Sequence, residues 1–130
     1  MNINTQIKIL LGLLFSVILF HICIIVKIIP YNIAWGGRLT NDNDMYVFES
    51  ISIVINLFLS WLLLMKGEFV QFKFTNKTVN LILWIFFALF ILNTVGNLFA
   101  KTNFEKLFAL LTGLSAILIW NILKHKKTTK

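Results

Sequence analysis

The sequence predicts an all-α protein, an antiparallel four-helix transmembrane bundle in a single domain. Four apolar stretches lead to that prediction, because each has about the 20 residues that a helix needs to cross the hydrocarbon core of a bilayer. They cover residues 7–29, 46–65, 79–99 and 104–123. The composition agrees, since 58% of the residues are hydrophobic and 13% are charged, against roughly 25% charged in a soluble domain. A soluble fold of this length could not hide so much apolar surface from water.

The segments between the apolar stretches are the first, second and third connections in chain order, and they define where the predicted helices begin and end. Residues 7–29 exceed the hydrophobic region of a cleavable signal peptide, which runs to about 15 residues, so we expect a retained helix. Pro30 should end it, because proline removes a backbone donor and disfavours helix before it. Asn43 or Asp44 is the expected N-cap of the second helix. The turn at residues 101–103 is short, so the third and fourth helices should be antiparallel neighbours.

The basic residues indicate how the helices would be oriented in the membrane. Eight lysines fall in the N-terminal segment, the second connection and the C-terminal tail, whereas the first and third connections hold four lysines or arginines. Basic residues accumulate on the cytoplasmic side, so we expect both termini in the cytoplasm. The net charge of +7 lies in the turns and the tail. That placement favours membrane lipids as partners and argues against nucleic acid.

Polar side chains within the apolar stretches are the candidates for a functional site, because burying polar groups in lipid costs free energy unless they find partners. They are Glu49, Ser52, Asn56 and Ser60 on one face of the second helix, Asn93 and Asn97 on the third, and His21 on the first. Most of them belong to the outer half of the bundle, whereas the inner half is mostly Leu, Ile and Phe. We therefore expect a shallow polar cavity beneath the first connection.

Glu49 is the residue on which a function would most depend. One interpretation is a structural ion pair with Lys27 or Arg38 that locks the first connection onto the bundle. The other is a carboxylate that binds a cation or a proton. His21 is expected to be a neutral, hydrogen-bonded packing residue, with a proton relay as the alternative.

The first connection has an unusual sequence, with Tyr31 and Trp35 suited to the membrane interface and Arg38 suited to a carboxylate, phosphate or headgroup. A structural turn with an interfacial anchor is one interpretation, and recognition of a ligand or lipid headgroup is the other. Asp42 and Asp44 resemble the start of a calcium loop, but the required glycine and terminal glutamate are missing, so no metal site is expected.

The sequence lacks the residues that several kinds of catalytic and cofactor chemistry need. Cys23 is the one cysteine, which leaves no redox pair, and one histidine within the apolar stretches cannot hold a haem between two axial ligands. There is no nucleophile elbow, no phosphate-binding glycine loop and no carboxylate pair for acid–base work. We therefore expect no catalytic residues, no cofactor and no enzyme activity.

Three short segments resemble a group of small, uncharacterised four-span bacterial integral membrane proteins. They are Trp35-Gly36-Gly37-Arg38, Met45-Tyr46-x-Phe48-Glu49 and Asn93-Thr94-x-Gly96-Asn97-Leu98-Phe99-Ala100-Lys101. The resemblance covers most of the chain and implies four spans and a bacterial cytoplasmic (inner) membrane, but no activity. Small multidrug exporters also have four helices, but their essential glutamate lies in the first helix, and this first helix has no acid.

The leading expectation is a non-enzymatic interaction or accessory protein of the membrane, with the polar cluster under the first connection as its recognition surface. A homo-oligomer or a membrane protein partner would fit that role. The main alternative is a small oligomeric transporter or channel that uses Glu49 and the Asn93/Asn97 face. A weaker alternative is a lipid-modifying enzyme that uses Glu49 and His21.

Overall fold

The computed structural model describes residues 2–31, 39–100 and 103–124 of the chain. Within those residues the fold consists of four α-helices without strands: α1 (Ile3–Ile25), α2 (Asp42–Lys66), α3 (Asn76–Leu98) and α4 (Asn103–Lys124). Each helix is long and apolar enough to cross a membrane. The prediction of an all-α chain with four such helices is confirmed, and each predicted stretch falls mainly within one helix.

Side-chain caps begin three of the helices. The Asn2 side chain accepts a hydrogen bond from the Thr5 backbone N–H at 2.8 Å, and Asn41 does the same for Asp44 at 2.8 Å. Thr75 caps α3 in the same way. The expected N-cap at Asn43 or Asp44 is therefore wrong: α2 begins earlier, and Asp44 lies in its first turn, where its charge favours the positive end of the helix dipole.

The ends of α1 and α2 share one backbone motif. The residue after each cap is left-handed: Lys27 has φ 66° and Glu68 has φ 61°. The Lys27 N–H donates to Ile24 O at 3.0 Å and the next N–H donates to Cys23 O at 2.9 Å, which closes the helix. Pro30 therefore does not end α1, contrary to expectation, because the chain has already left the helix before it.

The four helices enclose one main apolar core. Consecutive helices pack together, and α4 also packs against α1. The larger cluster of buried residues comprises Ile7, Leu10, Leu14, Leu59, Leu62, Leu63, Met65, Val79, Leu83, Phe86, Leu118, Ile119 and Ile122. A smaller cluster of Ile24, Leu39 and Met45 lies where α1 ends and α2 begins.

Two sets of contacts between helices mark the two ends of the molecule. The Glu49 end holds the last turns of α1 and the first turns of α2 and α4, which meet at the contacts of His21 with Glu49 and of Phe20 with Phe104. The Lys66 end holds the last turn of α2 and the first turn of α3, which meet where Lys66 contacts Asn80.

The outer surface of the helices is apolar. Phe15 is 62% exposed, Leu92 is 67% exposed and Leu110 is 74% exposed, and these side chains belong to three different helices. A contiguous apolar exterior of this kind is unfavourable in water and favourable in lipid.

Neighbouring side chains approach Gly67 so closely that a larger residue does not fit there without moving them. A Cβ at this position would lie 2.6 Å from the Phe69 ring and 3.1 Å from Ile7 Cδ1. We expect Gly67→Ala to lower the free energy of unfolding by about 1 kcal/mol, because the Phe69 ring must move aside. The measurement is thermal unfolding followed by circular dichroism in detergent micelles.

The matched control for that change is Gly12→Ala on α1. No atom lies within 4 Å of a Cβ built at Gly12, and alanine favours helix over glycine, so this variant should be as stable as the wild type or more stable. Equal effects of the two substitutions would contradict the proposed role of the Phe69 contact.

Candidate functional site

Glu49 is a fully buried acid on the second turn of α2. It lies four residues after Met45, so the two side chains share the helix face that packs against α1, and both are 0% exposed. A carboxylate removed from solvent must find hydrogen-bond donors within the protein. The sequence pattern places this acid deeper in the packing than the exposed Asp42 and Asp44, which precede it on the same helix.

His21 supplies a donor from the last part of α1. Its Nδ1 lies 2.6 Å from Glu49 Oε1, and its side chain is 14% exposed. The tautomer with the proton on Nδ1 donates this hydrogen bond to the Glu49 carboxylate, which accepts it. A bond of this length to a charged group is stronger than one between neutral partners, and it joins α1 to α2. The prediction that His21 is a hydrogen-bonded residue is confirmed.

A cluster of aromatic side chains lies beside the histidine and contacts it through Phe20. The Phe20 ring lies edge-on to His21 with centroids 5.7 Å apart. The same ring packs on Phe104 at 5.4 Å and on Phe108 at 4.7 Å, both on α4. The hydrogen-bonded pair therefore lies beside an apolar α1–α4 contact, which lowers the local dielectric and strengthens the pair.

Lys27 binds Asp42 and not Glu49. The Lys27 Nζ lies 2.5 Å from Asp42 Oδ2, and the two side chains are 56% and 49% exposed. The expected ion pair between Lys27 and Glu49 is therefore wrong. The physical reason is the left-handed conformation after α1, which carries Lys27 beyond the buried layer to the beginning of α2. The hydrogen bond and the charge of Asp42 raise the pKa of Lys27 above 10.5.

Two further residues of the polar stripe on α2, Asn56 and Ser60, bond to the backbone of their own helix. The Asn56 amide donates to the Ser52 carbonyl at 2.7 Å, and the Ser60 hydroxyl donates to the Asn56 carbonyl at 2.9 Å. These bonds remove the cost of placing the groups in an apolar surrounding without recruiting a ligand. The hydrogen bond of the Asn56 side chain is to its own helix backbone and not to the His21–Glu49 pair.

Asn93 and Asn97 on α3 are not part of that pair either. The Asn93 side chain is exposed and the Asn97 side chain is half-buried, and neither amide makes a hydrogen bond to the described residues. Between them, Thr94 points the other way and bonds the Thr112 hydroxyl on α4 at 2.8 Å. Trp35 and Arg38, the other two predicted site residues, lie outside the described residues.

The sequence interpretation missed a second buried polar group at the Lys66 end. Lys66 is 6% exposed, and its ammonium donates to Asn80 Oδ1 at 2.7 Å. Gln6 on the first turn of α1 is also buried. Lys66 and Gln6 both lie just outside the predicted apolar stretches 7–29 and 46–65, so the expectation of an inner half that is mostly Leu, Ile and Phe stays a prediction. The available signal was the short connection between α2 and α3. Lys66 and Asn80 lie on either side of it, and the connection brings them together.

A shallow groove also lies at this end of the molecule. Residues 68–72 and 74–76, in the connection between α2 and α3, line it. The polar cavity that we expected beneath the first connection involves residues 32–38, which lie outside the described residues. Among the described residues, no group of three or more histidine, cysteine or acidic side chains is placed to hold a metal ion.

Comparison with known proteins gives no family assignment. No protein-family model matches the chain, and no curated protein or solved structure is significantly similar to it.

The His21–Glu49 hydrogen bond should be a large contributor to stability. We expect His21→Leu to lower the free energy of unfolding by about 2 kcal/mol, because it removes a donor from a fully buried carboxylate. The double variant His21→Leu with Glu49→Leu should recover much of that loss, since no buried charge remains. Chemical or thermal unfolding in micelles measures all three proteins.

Asn56→Leu is the matched control, because its amide bonds only its own helix backbone in the structure. Its cost should be below about 1 kcal/mol. A His21→Leu variant no less stable than Asn56→Leu would contradict the role assigned to the pair.

The Lys27–Asp42 ion pair predicts a stability change at high pH. Because the pKa of Lys27 is raised in the folded state, the stabilisation is fully present below pH 10.5 and is lost as the pH rises further. We expect the melting temperature of wild type to exceed that of Asp42→Asn by a constant amount from pH 7 to 9. The difference should shrink above pH 10.5. A difference that persists unchanged would show that Asp42 acts only through the dipole of α2.

Proposed function

We propose that this chain is a non-enzymatic, multi-pass protein of a bacterial cytoplasmic membrane that acts by binding a membrane protein partner. The four helices form an antiparallel bundle with both termini in the cytoplasm, and the connection between α1 and α2 is the recognition surface. The observation that carries this proposal is the fully buried Glu49 carboxylate held by His21, because it fixes the two helices beneath that connection.

The membrane setting is supported by the surface of the helices. Large hydrophobic side chains are exposed on all four helices, whereas the described charged residues lie at the two ends. Charged residues at mid-membrane depth are costly, and chains that span a bilayer place them near the interfaces. The Lys124 ammonium lies 4.8 Å from the Trp120 ring centroid, an arrangement that suits the interface, where an aromatic body and a charged group share one environment.

The orientation is supported by the charges at the two ends. The described lysines at the Lys66 end are Lys8, Lys66, Lys73, Lys77 and Lys124. At the Glu49 end, Lys27 and Lys106 are accompanied by Asp42, Asp44 and Glu105. An excess of basic residues marks the cytoplasmic side, so the Glu49 end would face outward.

The recognition role is supported by how the outer end is built. Below the surface, the buried Glu49 is bonded to His21, which is partly buried. At the surface, Lys27 and Asp42 form an exposed pair, and Tyr46 next to it is also exposed. Because the residues beneath the exposed charged and aromatic side chains are already held in place, little conformational entropy is lost at this end when a partner binds.

Proton or cation transport is the second candidate function. The observation in its favour is the same 2.6 Å contact, because a histidine hydrogen-bonded to a carboxylate is an arrangement found in proton relays. Four helices around a packed apolar core leave little room for a pathway, so this function would require an oligomer.

A photoreactive side chain introduced at Thr40 tests the recognition role in intact cells. Thr40 is exposed at the Glu49 end, and Lys77, exposed at the Lys66 end, is the matched control position. We expect light to link Thr40, and not Lys77, to one discrete membrane protein. Equal labelling from the two positions would contradict a recognition surface at the first connection.

Purified protein in vesicles separates the second candidate from the first. An imposed pH gradient with a pH-sensitive dye inside the vesicles reports proton flux. Flux that is present in wild type and lost in Glu49→Gln would replace the recognition role with transport. Equal, background flux in both proteins is the result that the recognition role requires.

A further inference from the structure

We infer that two copies of this chain associate through the outward face of α3, with the Asn93 amides paired across the contact beside Gly96. The inference rests on the proposed membrane setting, because it depends on that face being surrounded by lipid. It extends the proposal by naming an interface that is separate from the recognition surface at the Glu49 end.

α3 is the helix with the least burial. In the most apolar window of each helix, 17% of the residues are buried in α3, compared with 39% in α4. The buried side chains of α3 are Val79, Leu83 and Phe86, all in its first half, so no side chain of its second half is fully buried.

Asn93 lies in this less buried half of α3, and its amide makes no hydrogen bond to the described residues. Its side chain is exposed, and it is flanked on the helix surface by Leu89, 46% exposed, and Leu92, 67% exposed. Asn93 lies five residues before the end of α3, which is about 7.5 Å along the axis. An amide at that depth in lipid lacks the water that would otherwise satisfy it.

Two other exposed polar groups of the helices have a different way to be satisfied. The Ser16 hydroxyl donates to the Gly12 carbonyl of its own helix at 3.2 Å. Asn121 is exposed but lies three residues from the end of α4, beside Lys124, where headgroups and water reach it. Among the exposed amides of the helices, Asn93 is therefore the one that a hydrogen bond to a protein partner stabilises most.

A second copy is the occupant that fits this face. A primary amide has both donors and an acceptor, so two Asn93 side chains related by a two-fold axis satisfy each other. α3 has no charged residue between Lys77 and its end, so two copies do not repel along the contact. Gly96, three residues on, has no atom within 4 Å of a built Cβ, which leaves space for a neighbouring backbone.

The experiment measures association of the purified full-length chain in phospholipid vesicles by energy transfer between donor-labelled and acceptor-labelled copies. We expect wild type to dimerise as the protein-to-lipid ratio rises. Asn93→Leu should weaken the association about tenfold, and Asn93→Gln should retain it because the amide is kept. Gly96→Leu should abolish it by filling the contact.

Gly12→Leu is the matched control for Gly96→Leu. Gly12 on α1 has the same open space, so the same bulk is added to a different face, and association should be unchanged. A second readout uses a Cys23→Ala background: Gly96→Cys should form a disulfide dimer on mild oxidation, whereas Gly12→Cys should not. Thermal unfolding of each variant shows that the fold is intact.

Two results would overturn the inference. One is a wild type that stays monomeric in the vesicles at every protein-to-lipid ratio, which is also the result expected if a different protein covers this face. The other is a dimer that Gly12→Leu disrupts and Gly96→Leu does not. Alkaline extraction of the vesicles tests the membrane setting separately. A chain that stays in the vesicles is embedded in the membrane whether or not it dimerises. A chain that is extracted contradicts both the membrane setting and the inference.

Discussion

The hydrogen bond between His21 and Glu49 constrains the geometry of this protein more than any other described contact. A carboxylate with no solvent exposure has to be satisfied where it lies, and its donor comes from a different helix. That requirement fixes the rotation of α1 and α2 about their axes and the height at which they meet. The left-handed turn at Lys27 and the cap at Asn41 then determine where the chain leaves one helix and enters the next.

Polar groups are managed differently on the two faces of the helices. Those that face inward bond across helices, as in the Thr94–Thr112 pair, or along their own backbone, as in Asn56. The outward surface is mostly apolar, and Asn93 is an exposed amide on it that makes no hydrogen bond to the described residues. The same physical cost, that of an unsatisfied polar group in an apolar surrounding, thus accounts for the buried pair at the Glu49 end and for the proposed contact between two copies.

The sequence was a good guide to the elements and a poorer guide to their ends. Length and hydropathy located all four helices, because apolar stretches of about 20 residues have few other structures open to them in lipid. Pro30 and Asp44 gave the wrong boundaries, since several residue types can cap a helix and the choice depends on backbone geometry. The site was partly predicted: Glu49 and His21 were both identified, but Lys27 pairs with Asp42 rather than with Glu49, and the buried Lys66–Asn80 contact was not foreseen. The other expected partner of Glu49, Arg38, lies outside the described residues.

What the sequence determined by itself was the number, type and approximate extent of the helices, because these follow from local composition and chain length. Which polar side chains meet was decided by the tertiary structure. A difference of one residue in where α1 ends turns its side chains by about 100° and moves them by about 1.5 Å, enough to exchange one partner of Glu49 for another. Hydropathy averages over such differences, whereas a hydrogen bond of 2.6 Å does not tolerate them.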